Sequence, residues 1–169
     1  MTMPATVREA RSQDAAGIAD LWNHFIRETA ATFNSEEKSA AEVEVSIAAR
    51  AAEGRGFFVG VGEVGEVLGF ATYFQFRGGV GYARTAEHTV LLDPGAHGRG
   101  LGRALMARIE DHARQSGHHM LFAGVSSGNP DGLAFHARLG FEEVAVLREV
   151  GWKWGRWFDL HLMQKRIGP

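Results

Sequence analysis

The sequence predicts a mixed α/β (α+β) domain built from a chain of 169 residues. Apolar residues recur with helical spacing in some stretches and form short strand-like runs in others, and the two kinds are interspersed along the chain. A glycine-rich turn, His97–Gly102, joins an apolar run to an amphipathic segment. Internal repeats, low-complexity tracts and linkers are not evident. Together these features predict one domain, residues 1–169, in which helices pack against a sheet.

The first half of the chain carries signals for two helices between strands. Ser12 or Asp14 is the candidate cap of the first helix. Ser39 with Glu42 three residues on forms a capping-box pattern for the second helix, which ends near Glu53. The apolar face of the first helix consists of Ile18, Leu21, Trp22, Phe25 and Ile26. The predicted strands of this half cover residues 5–10, 57–61 and 67–76.

The second half alternates strands and helices around the glycine turn. The long helix after the turn has one apolar stripe formed by Leu101, Leu105, Ile109 and Ala113. Pro130 suits the first turn of a helix, and Gly140 suits its end. The predicted elements are a strand at 85–92, a helix at 98–115, a strand at 120–125, a helix at 130–139, and strands at 144–147 and 157–163.

Composition excludes several classes of function. Lys and Arg number 18 against 20 Asp and Glu, which argues against nucleic acid as a partner. The chain has no cysteine, and this excludes disulfides, thiolate metal sites and cysteine nucleophiles. The first residues lack the pattern of a secretion signal, and no apolar run approaches the roughly 18 residues of a membrane span. We therefore expect a cytoplasmic protein with no membrane partner.

Two glycine motifs compete as phosphate sites. Gly60–Gly65 has the spacing of a dinucleotide-binding turn, but a strand-like run follows it instead of a helix, which predicts a hairpin. His97–Gly102 lies between a strand and a helix, so its N–H groups and the helix dipole converge on one point. Its spacing fails the dinucleotide pattern, since Arg103 stands at the sixth position, and it lacks the Gly-Lys-Ser/Thr of a P-loop. From the residues alone, the turn is either an anion-binding site or a tight strand-to-helix connection.

The turn His97–Gly102 resembles the acyl-CoA-binding turn of the GNAT superfamily of N-acetyltransferases, written Arg/Gln-x-x-Gly-x-Gly/Ala. The order of elements and the stretch 129–141 are similar to the same superfamily. Within it, the chain resembles the phosphinothricin and methionine sulfoximine N-acetyltransferases over nearly its whole length. The segments that carry this closer resemblance are 22–24, 29–33, 86–90 and 155–159. His97 departs from the pattern, but the family uses that position largely through the backbone, so we expect cofactor binding to be retained.

The resemblance implies the GNAT fold, a twisted and mostly antiparallel central sheet of about seven strands flanked by helices. It also implies an acetyl-CoA-dependent N-acetyltransferase, a homodimer without a metal. In this family the strand at 90–92 pairs with the pantetheine arm and the turn holds the pyrophosphate. Asn129 either bonds a CoA amide or caps its helix, and the charges of Arg99 and Arg103 face either phosphate or solvent. The implied cofactor-binding residues are Val90, Leu91, Leu92, His97, Gly98, Arg99, Gly100, Leu101, Gly102, Arg103 and Asn129.

Two residues are candidates for proton transfer. Glu87 precedes Val90 by three residues, and the resemblance implies that it is the general base for the amine. From the residues alone, a surface carboxylate is the favoured interpretation. His136 stands where many members of the superfamily have a tyrosine that protonates the CoA sulfur, and histidine can donate a proton at neutral pH. A structural histidine is the alternative.

The polar stretch before Glu87 is the predicted reader of the substrate. Guanidinium groups suit a carboxylate or phosphinate, and the resembling enzymes act on the α-amine of small amino acid analogues. Solvated arginines on a mobile loop are the alternative. The predicted substrate-binding residues are Arg77, Gly78, Gly79, Tyr82, Arg84, Glu87, His88 and Thr89. Acetylation of a protein or peptide amine, and a CoA-binding sensor without catalysis, are the other functions considered.

Overall fold

The computed structural model describes residues 5–169. The first four residues, which belong to the segment examined for a secretion signal, lie outside this range. The helices are α1 (Ala15–Glu28), α2 (Ala40–Ala52), α3 (Leu101–Gln115) and α4 (Pro130–Arg138). The strands are β1 (Thr6–Glu9), β2 (Phe57–Val61), β3 (Val67–Gln75), β4 (Thr85–Leu92), β5 (Met120–Ser126), β6 (Glu142–Lys153) and β7 (Arg156–Arg166). Short 3-10 turns lie at Ser12–Asp14, Val80–Tyr82 and Pro94–Ala96. The predicted order of elements is confirmed.

The seven strands form one sheet in the order β1-β2-β3-β4-β5-β7-β6. Neighbouring strands are antiparallel except for β4 and β5, which run parallel. The Gly60–Gly65 motif forms the β2–β3 hairpin, as predicted, with Val61 opposite Val67. The parallel contact is short, since its register joins Thr85–His88 to Met120–Ala123. Both strands continue beyond this contact, so the sheet divides near its centre.

Helices cover both faces of the sheet. On one face α1 and α2 pack against β2 and β3, and on the other α3 and α4 pack against β3, β4 and β5. The α1–α2 face is held by buried Ile18, Leu21, Val43, Val59 and Phe70. The α3–α4 face is held by buried Leu105, Met106, Ile109, Tyr73 and Leu121, with Phe135 packed against them. Because side chains alternate along a strand, neighbouring residues of β4 belong to different cores.

The first two helices begin in different ways. Asp14 precedes α1, but its carboxylate makes no capping bond to the helix. It accepts two hydrogen bonds from the Arg8 guanidinium instead, at 2.7 and 2.9 Å. The predicted capping box of α2 is confirmed, because Ser39 Oγ accepts from Glu42 N at 3.2 Å and Glu42 Oε2 accepts from Ser39 N at 2.7 Å.

α3, β6 and β7 differ from their predicted bounds, and β7 runs to Arg166, three residues beyond its predicted end. α3 begins at Leu101 rather than three residues earlier, because Gly98 and Gly100 take φ angles of 76° and 81°, outside the helical region. β6 continues well beyond its predicted end at Leu147. A bulge shifts the register before Gly151, and the strand then pairs with β7 again.

Candidate active site

A gap opens in the sheet where β4 and β5 part. Asp93 N donates to Leu68 O at 2.8 Å, which places the odd-numbered residues of β4 in hydrogen-bonded pairs with β3. The alternate residues of an antiparallel strand point their N–H and C=O groups the other way. Since pairing with β5 ends at His88, Val90 and Leu92 direct their main-chain groups into the gap. A ligand with amide groups can extend the sheet there.

The glycine turn leads from this gap to the start of α3. Gly98 and Gly100 have positive φ, and a Cβ added at either would meet no atom within 4 Å, so their requirement is conformational. Gly102 is different, because its Cβ would lie 2.9 Å from Leu92 Cδ1 and 3.0 Å from Phe135 Cε2. Two glycines therefore shape the turn, and the third lets the helix approach β4 and α4.

A cavity of about 520 Å³ lies between β4, the turn and α4. Asn129 lines it and caps α4, since Asn129 Oδ1 accepts from Gly132 N at 3.1 Å. Of the predicted cofactor residues, the structure brings together here Val90, Leu91, Leu92, His97, Gly98, Gly100, Leu101, Gly102, Arg103 and Asn129. Arg99 is exposed and does not line the cavity. Three N–H groups in the first turn of α3 are free to meet an anion at this cavity.

A second cavity of about 290 Å³ adjoins the first. Its walls include aromatic side chains, the carboxylate-bearing Glu87, and Ser126 at the end of β5. The residues that line both cavities are Ala31, Val90, Leu91, Asn129 and His136. The two cavities therefore meet at the point where β4 and β5 separate.

Glu87 lies on the α1–α2 face of β4, opposite Phe74 of β3. It is half-buried, and burial raises the pKa of its carboxyl group. Gly124 of β5 makes room for it, since a Cβ at that position would lie 3.0 Å from Glu87 Oε1. A carboxylate whose pKa is raised by burial holds a proton more strongly than a solvated one, which suits a general base.

His136 and His88 form a buried pair on the opposite face. Their Nε2 atoms lie 2.9 Å apart, and His136 Nδ1 lies 2.7 Å from Gly132 O. Since a carbonyl only accepts, His136 carries its proton on Nδ1, and its Nε2 accepts from the Nε2–H of His88. Burial lowers the pKa of His136, and it lowers the pKa of His88 to about 3, so both rings are neutral at pH 7. The predicted substrate residue His88 thus directs its ring at His136.

The predicted substrate loop, residues 77–84, does not line either cavity. Arg77 and Arg84 are exposed, and the Arg77 guanidinium stacks on the Tyr82 ring at 5.7 Å. The glycines at 78 and 79 are exposed as well. Of the predicted substrate residues, Glu87, His88 and Thr89 line the second cavity. Among residues 5–169, the side chains that line this cavity include no lysine or arginine.

Some lining residues had no predicted site role. The second cavity takes one wall from α1 and the segment after it, and the first takes charged groups from α4. These residues are Trp22, Ala31, Thr32, Phe33, Asp131 and Arg138. The stretches 22–24 and 29–33 already carried the family resemblance, and that was the available signal. In the described part of the chain, no group of three or more His, Asp or Glu side chains could hold a metal ion. None of the helices described in 5–169 is both long and apolar enough to span a bilayer.

Comparison with known families accounts for this arrangement. The family described as acetyltransferase (GNAT) domain matches residues 7–162. The chain belongs to the GNAT acetyltransferases. The predicted family, fold class and enzyme class, an N-acetyltransferase, are thereby confirmed.

Relatives of this GNAT chain carry more specific names. It is 38% identical over 162 residues to the L-amino acid N-acyltransferase MnaT of Escherichia coli, covering 96% of this chain and 94% of that protein. It is 36% identical over 167 residues to the L-methionine sulfoximine/L-methionine sulfone acetyltransferase of Pseudomonas paraeruginosa, covering 99% and 97%. A solved phosphinothricin acetyltransferase of Sinorhizobium meliloti superposes with a TM-score of 0.92 at 30% identity, covering 98% of this chain and 90% of that one. That structure holds AcCoA, the predicted cosubstrate.

Proposed function

We propose that this GNAT enzyme transfers the acetyl group of acetyl-CoA directly to the α-amine of a small amino acid or analogue, of the phosphinothricin or methionine sulfoximine type. The observation that carries the proposal is the junction of two cavities at the gap between β4 and β5. The larger cavity suits a cofactor and the smaller one an amine, and their junction is where the acetyl group would lie. The names of the relatives support the class of amine.

The cofactor would occupy the larger cavity. The free N–H groups at the start of α3 and in the turn 98–103 would bind the pyrophosphate, and Arg103 and Arg138 would add positive charge. The pantetheine amides would pair with β4 along its open side. Val90 N–H, which points into the gap, would then donate to the thioester oxygen and stabilise the negative charge that forms in the tetrahedral intermediate.

Glu87 would act as the general base, directly or through a water. The substrate ammonium gives one proton to Glu87 and then attacks the thioester carbon, forming the C–N bond. The tetrahedral intermediate collapses as the C–S bond breaks, and its remaining excess N–H proton ends on the CoA sulfur. The products are the acetamide, CoA thiol and one proton, which Glu87 releases to solvent. The chain has no cysteine, so an acyl-cysteine intermediate is excluded.

His136 would deliver the proton to the departing sulfur. Its ring lies at the junction of the two cavities, on the face opposite Glu87. In the structure its Nε2 accepts from His88 and its Nδ1 donates to Gly132 O. Since Nε2 carries no proton in this state, the acid role requires the ring to leave His88, to take the excess N–H proton of the intermediate on Nε2, and to pass it to the CoA sulfur as the C–S bond breaks.

Arg77 and Arg84 would bind the substrate carboxylate. Among the residues that the structure describes, the smaller cavity offers Glu87 for the amine but no lysine or arginine side chain for the acid group. The loop 77–84 is exposed and rich in glycine, with Gly79 at a φ of 101°, so it can change conformation. Closure of this loop over the cavity would supply the missing positive charge.

A second copy of the chain would cover the β6–β7 hairpin. Trp152, Trp154 and Trp157 expose 54%, 58% and 56% of their surface there, and Val150 and Leu147 are exposed beside them. Aromatic side chains exposed together on an edge strand mark an interaction surface. We refer to these five residues as the tryptophan patch, and propose that the homodimer forms through it.

The proposed function is tested by thiol release from acetyl-CoA across a panel of amino acids, their analogues and peptides, with the wild-type protein and Glu87→Gln. We expect release with small amino acid analogues, and a fall in kcat of about 100-fold or more in Glu87→Gln with the acetyl-CoA dissociation constant unchanged. Near wild-type turnover in Glu87→Gln would exclude this base. Release with peptides alone would indicate a protein acetyltransferase, and binding of CoA without any release would indicate a sensor.

A further inference from the structure

Lys153, at the end of β6, is an unusual buried cation. Its surface is 2% exposed, and its ammonium donates to Thr29 O at 2.7 Å and Thr32 O at 2.9 Å. The ion pairs found within residues 5–169 do not include it. Burial of a charge without a counter-ion is unfavourable, and here it lowers the pKa of the ammonium. The burial of the Lys153 ammonium without a counter-ion therefore points to a specific structural role for this residue.

The turn after Lys153 has a strained backbone, and it places the Trp154 ring beside the Lys153 ammonium. Lys153 pairs with Arg156, and the two residues between them, Trp154 and Gly155, have φ angles of 53° and 73°. Turns of this kind favour Asn-Gly, because a residue with a large side chain is disfavoured in the left-handed region. The Trp154 ring nevertheless lies 5.0 Å from the Lys153 ammonium, within range of a cation–π contact.

The segment that Lys153 holds is a wall of the smaller cavity. Ala31, Thr32 and Phe33 line that cavity. Phe33 packs closely on β6, since a Cβ at Gly151 would lie 2.4 Å from Phe33 Cε2, and it stacks on Phe158 of β7 at 5.8 Å. The end of the β6–β7 hairpin therefore fixes this wall from behind, through one buried cation and one aromatic ring.

We propose that Lys153 is a positioning residue for the amine substrate. By binding the carbonyls of Thr29 and Thr32 it holds the segment 29–33 in the shape that the amine requires. Thr32 and Phe33 line the smaller cavity and not the larger one, and Ala31 lines both. The inference rests on the proposed function, in which the smaller cavity receives the amine. It predicts that loss of the ammonium impairs recognition of the amine much more than recognition of the cofactor.

Lys153→Met removes the ammonium and keeps an unbranched apolar chain. With L-methionine sulfoximine as the probe, we expect the KM for this amine to rise about tenfold or more, while the KM for acetyl-CoA stays within about twofold. Lys165→Met is the matched control, because Lys165 binds Glu110 of α3 at 2.8 Å and does not line either cavity. An unchanged amine KM, an equal rise in both constants, or the same rise in Lys165→Met would overturn the proposal.

A second measurement does not depend on activity. Hydrogen exchange of the amides in 29–33 should be faster in Lys153→Met than in the wild-type protein and unchanged in Lys165→Met. Equal exchange rates in all three proteins would refute the proposal that Lys153 holds the segment 29–33 in place. If Lys153→Met does not fold, Lys153→Gln, which removes the charge but keeps N–H donors for the carbonyls of Thr29 and Thr32, should show a smaller shift of the same kinds. Failure of the wild-type enzyme to acetylate any small amine of the panel, with faster exchange in Lys153→Met, would refute the proposed function and still support the role of Lys153 in holding the segment 29–33.

Discussion

The glycine turn offers a test of why each glycine is needed. Alanine at Gly100 would be forced to a φ of 81°, and the left-handed region costs a residue with a Cβ about 1 to 2 kcal/mol. Alanine at Gly102 would keep a helical backbone but place its Cβ 2.9 Å from Leu92 Cδ1 and 3.0 Å from Phe135 Cε2. Overpacking of this kind costs about 1 to 3 kcal/mol. The two alanine variants should thus lose similar stability for different reasons.

Asparagine separates the two reasons. It tolerates the left-handed region better than alanine does but is larger. Gly100→Asn should therefore be more stable than Gly100→Ala, whereas Gly102→Asn should be less stable than Gly102→Ala. At about 2 to 4 °C per kcal/mol for a chain of this size, the alanine variant at Gly100 should melt about 2 to 8 °C below the wild-type protein.

The assay is thermal unfolding of the four variants, with and without acetyl-CoA. A Gly102→Asn variant as stable as Gly102→Ala would show that the space around this residue is not limiting. Equal melting temperatures for Gly100→Asn and Gly100→Ala would show that the positive φ is not the reason for glycine there. Either result would refute the division of roles between the glycines of the turn.

Four further predictions concern the site and the assembly. Because burial raises the pKa of Glu87 and the base must be deprotonated, kcat/KM should fall on acidification from a pH above the ordinary glutamate range. The native state binds this proton more readily than the unfolded state, so stability falls as pH rises through the same range, and Glu87→Gln should melt higher at pH 7. His136→Phe should lower kcat by about 100-fold with little change in either KM. Trp157→Glu should convert a dimer to a monomer in sedimentation experiments.

Contrary outcomes are equally specific. An acid limb that persists in Glu87→Gln would assign the titration to another group. Retention of kcat in His136→Phe would show that His136 has only a structural role. Loss of kcat in His88→Phe, with His136 intact, would show that proton transfer needs both histidines. A Trp157→Glu protein with unchanged mass in solution would place the dimer contact elsewhere.

Local patterns predicted the elements around the site well. Ser39 and Glu42 are three residues apart, so the start of α2 could be identified without knowledge of the rest of the chain. The strand predicted at 85–92 has the same bounds as β4 in the structure. Alternation along β4 also held information, since His88 lies two residues from Ala86 and Val90, on the face opposite Glu87. That spacing could have placed its ring beside α4.

Contacts between distant segments could not be predicted in the same way. The gap in the sheet depends on β5 leaving β4 while it continues to pair with β7, and no spacing in either strand records this. The polar composition of residues 77–84 indicated that this loop faces solvent, but it did not indicate that the loop lines neither cavity. Lys153 would be expected at the surface from its charge alone. Only the folded chain shows that its ammonium donates hydrogen bonds to the carbonyls of Thr29 and Thr32, more than a hundred residues earlier.

The parting of β4 and β5 gives the molecule an unsatisfied strand edge in its interior. Edges on the outside of a sheet invite other proteins to add strands, which leads to aggregation. Here residues of α1 and α4 line the cavity into which this edge opens, so a partner must enter the cavity to pair with Val90 and Leu92. The fold thus places an unpaired strand edge inside a cavity, where an extended chain with amide groups can pair with it, and not at the outer border of the sheet.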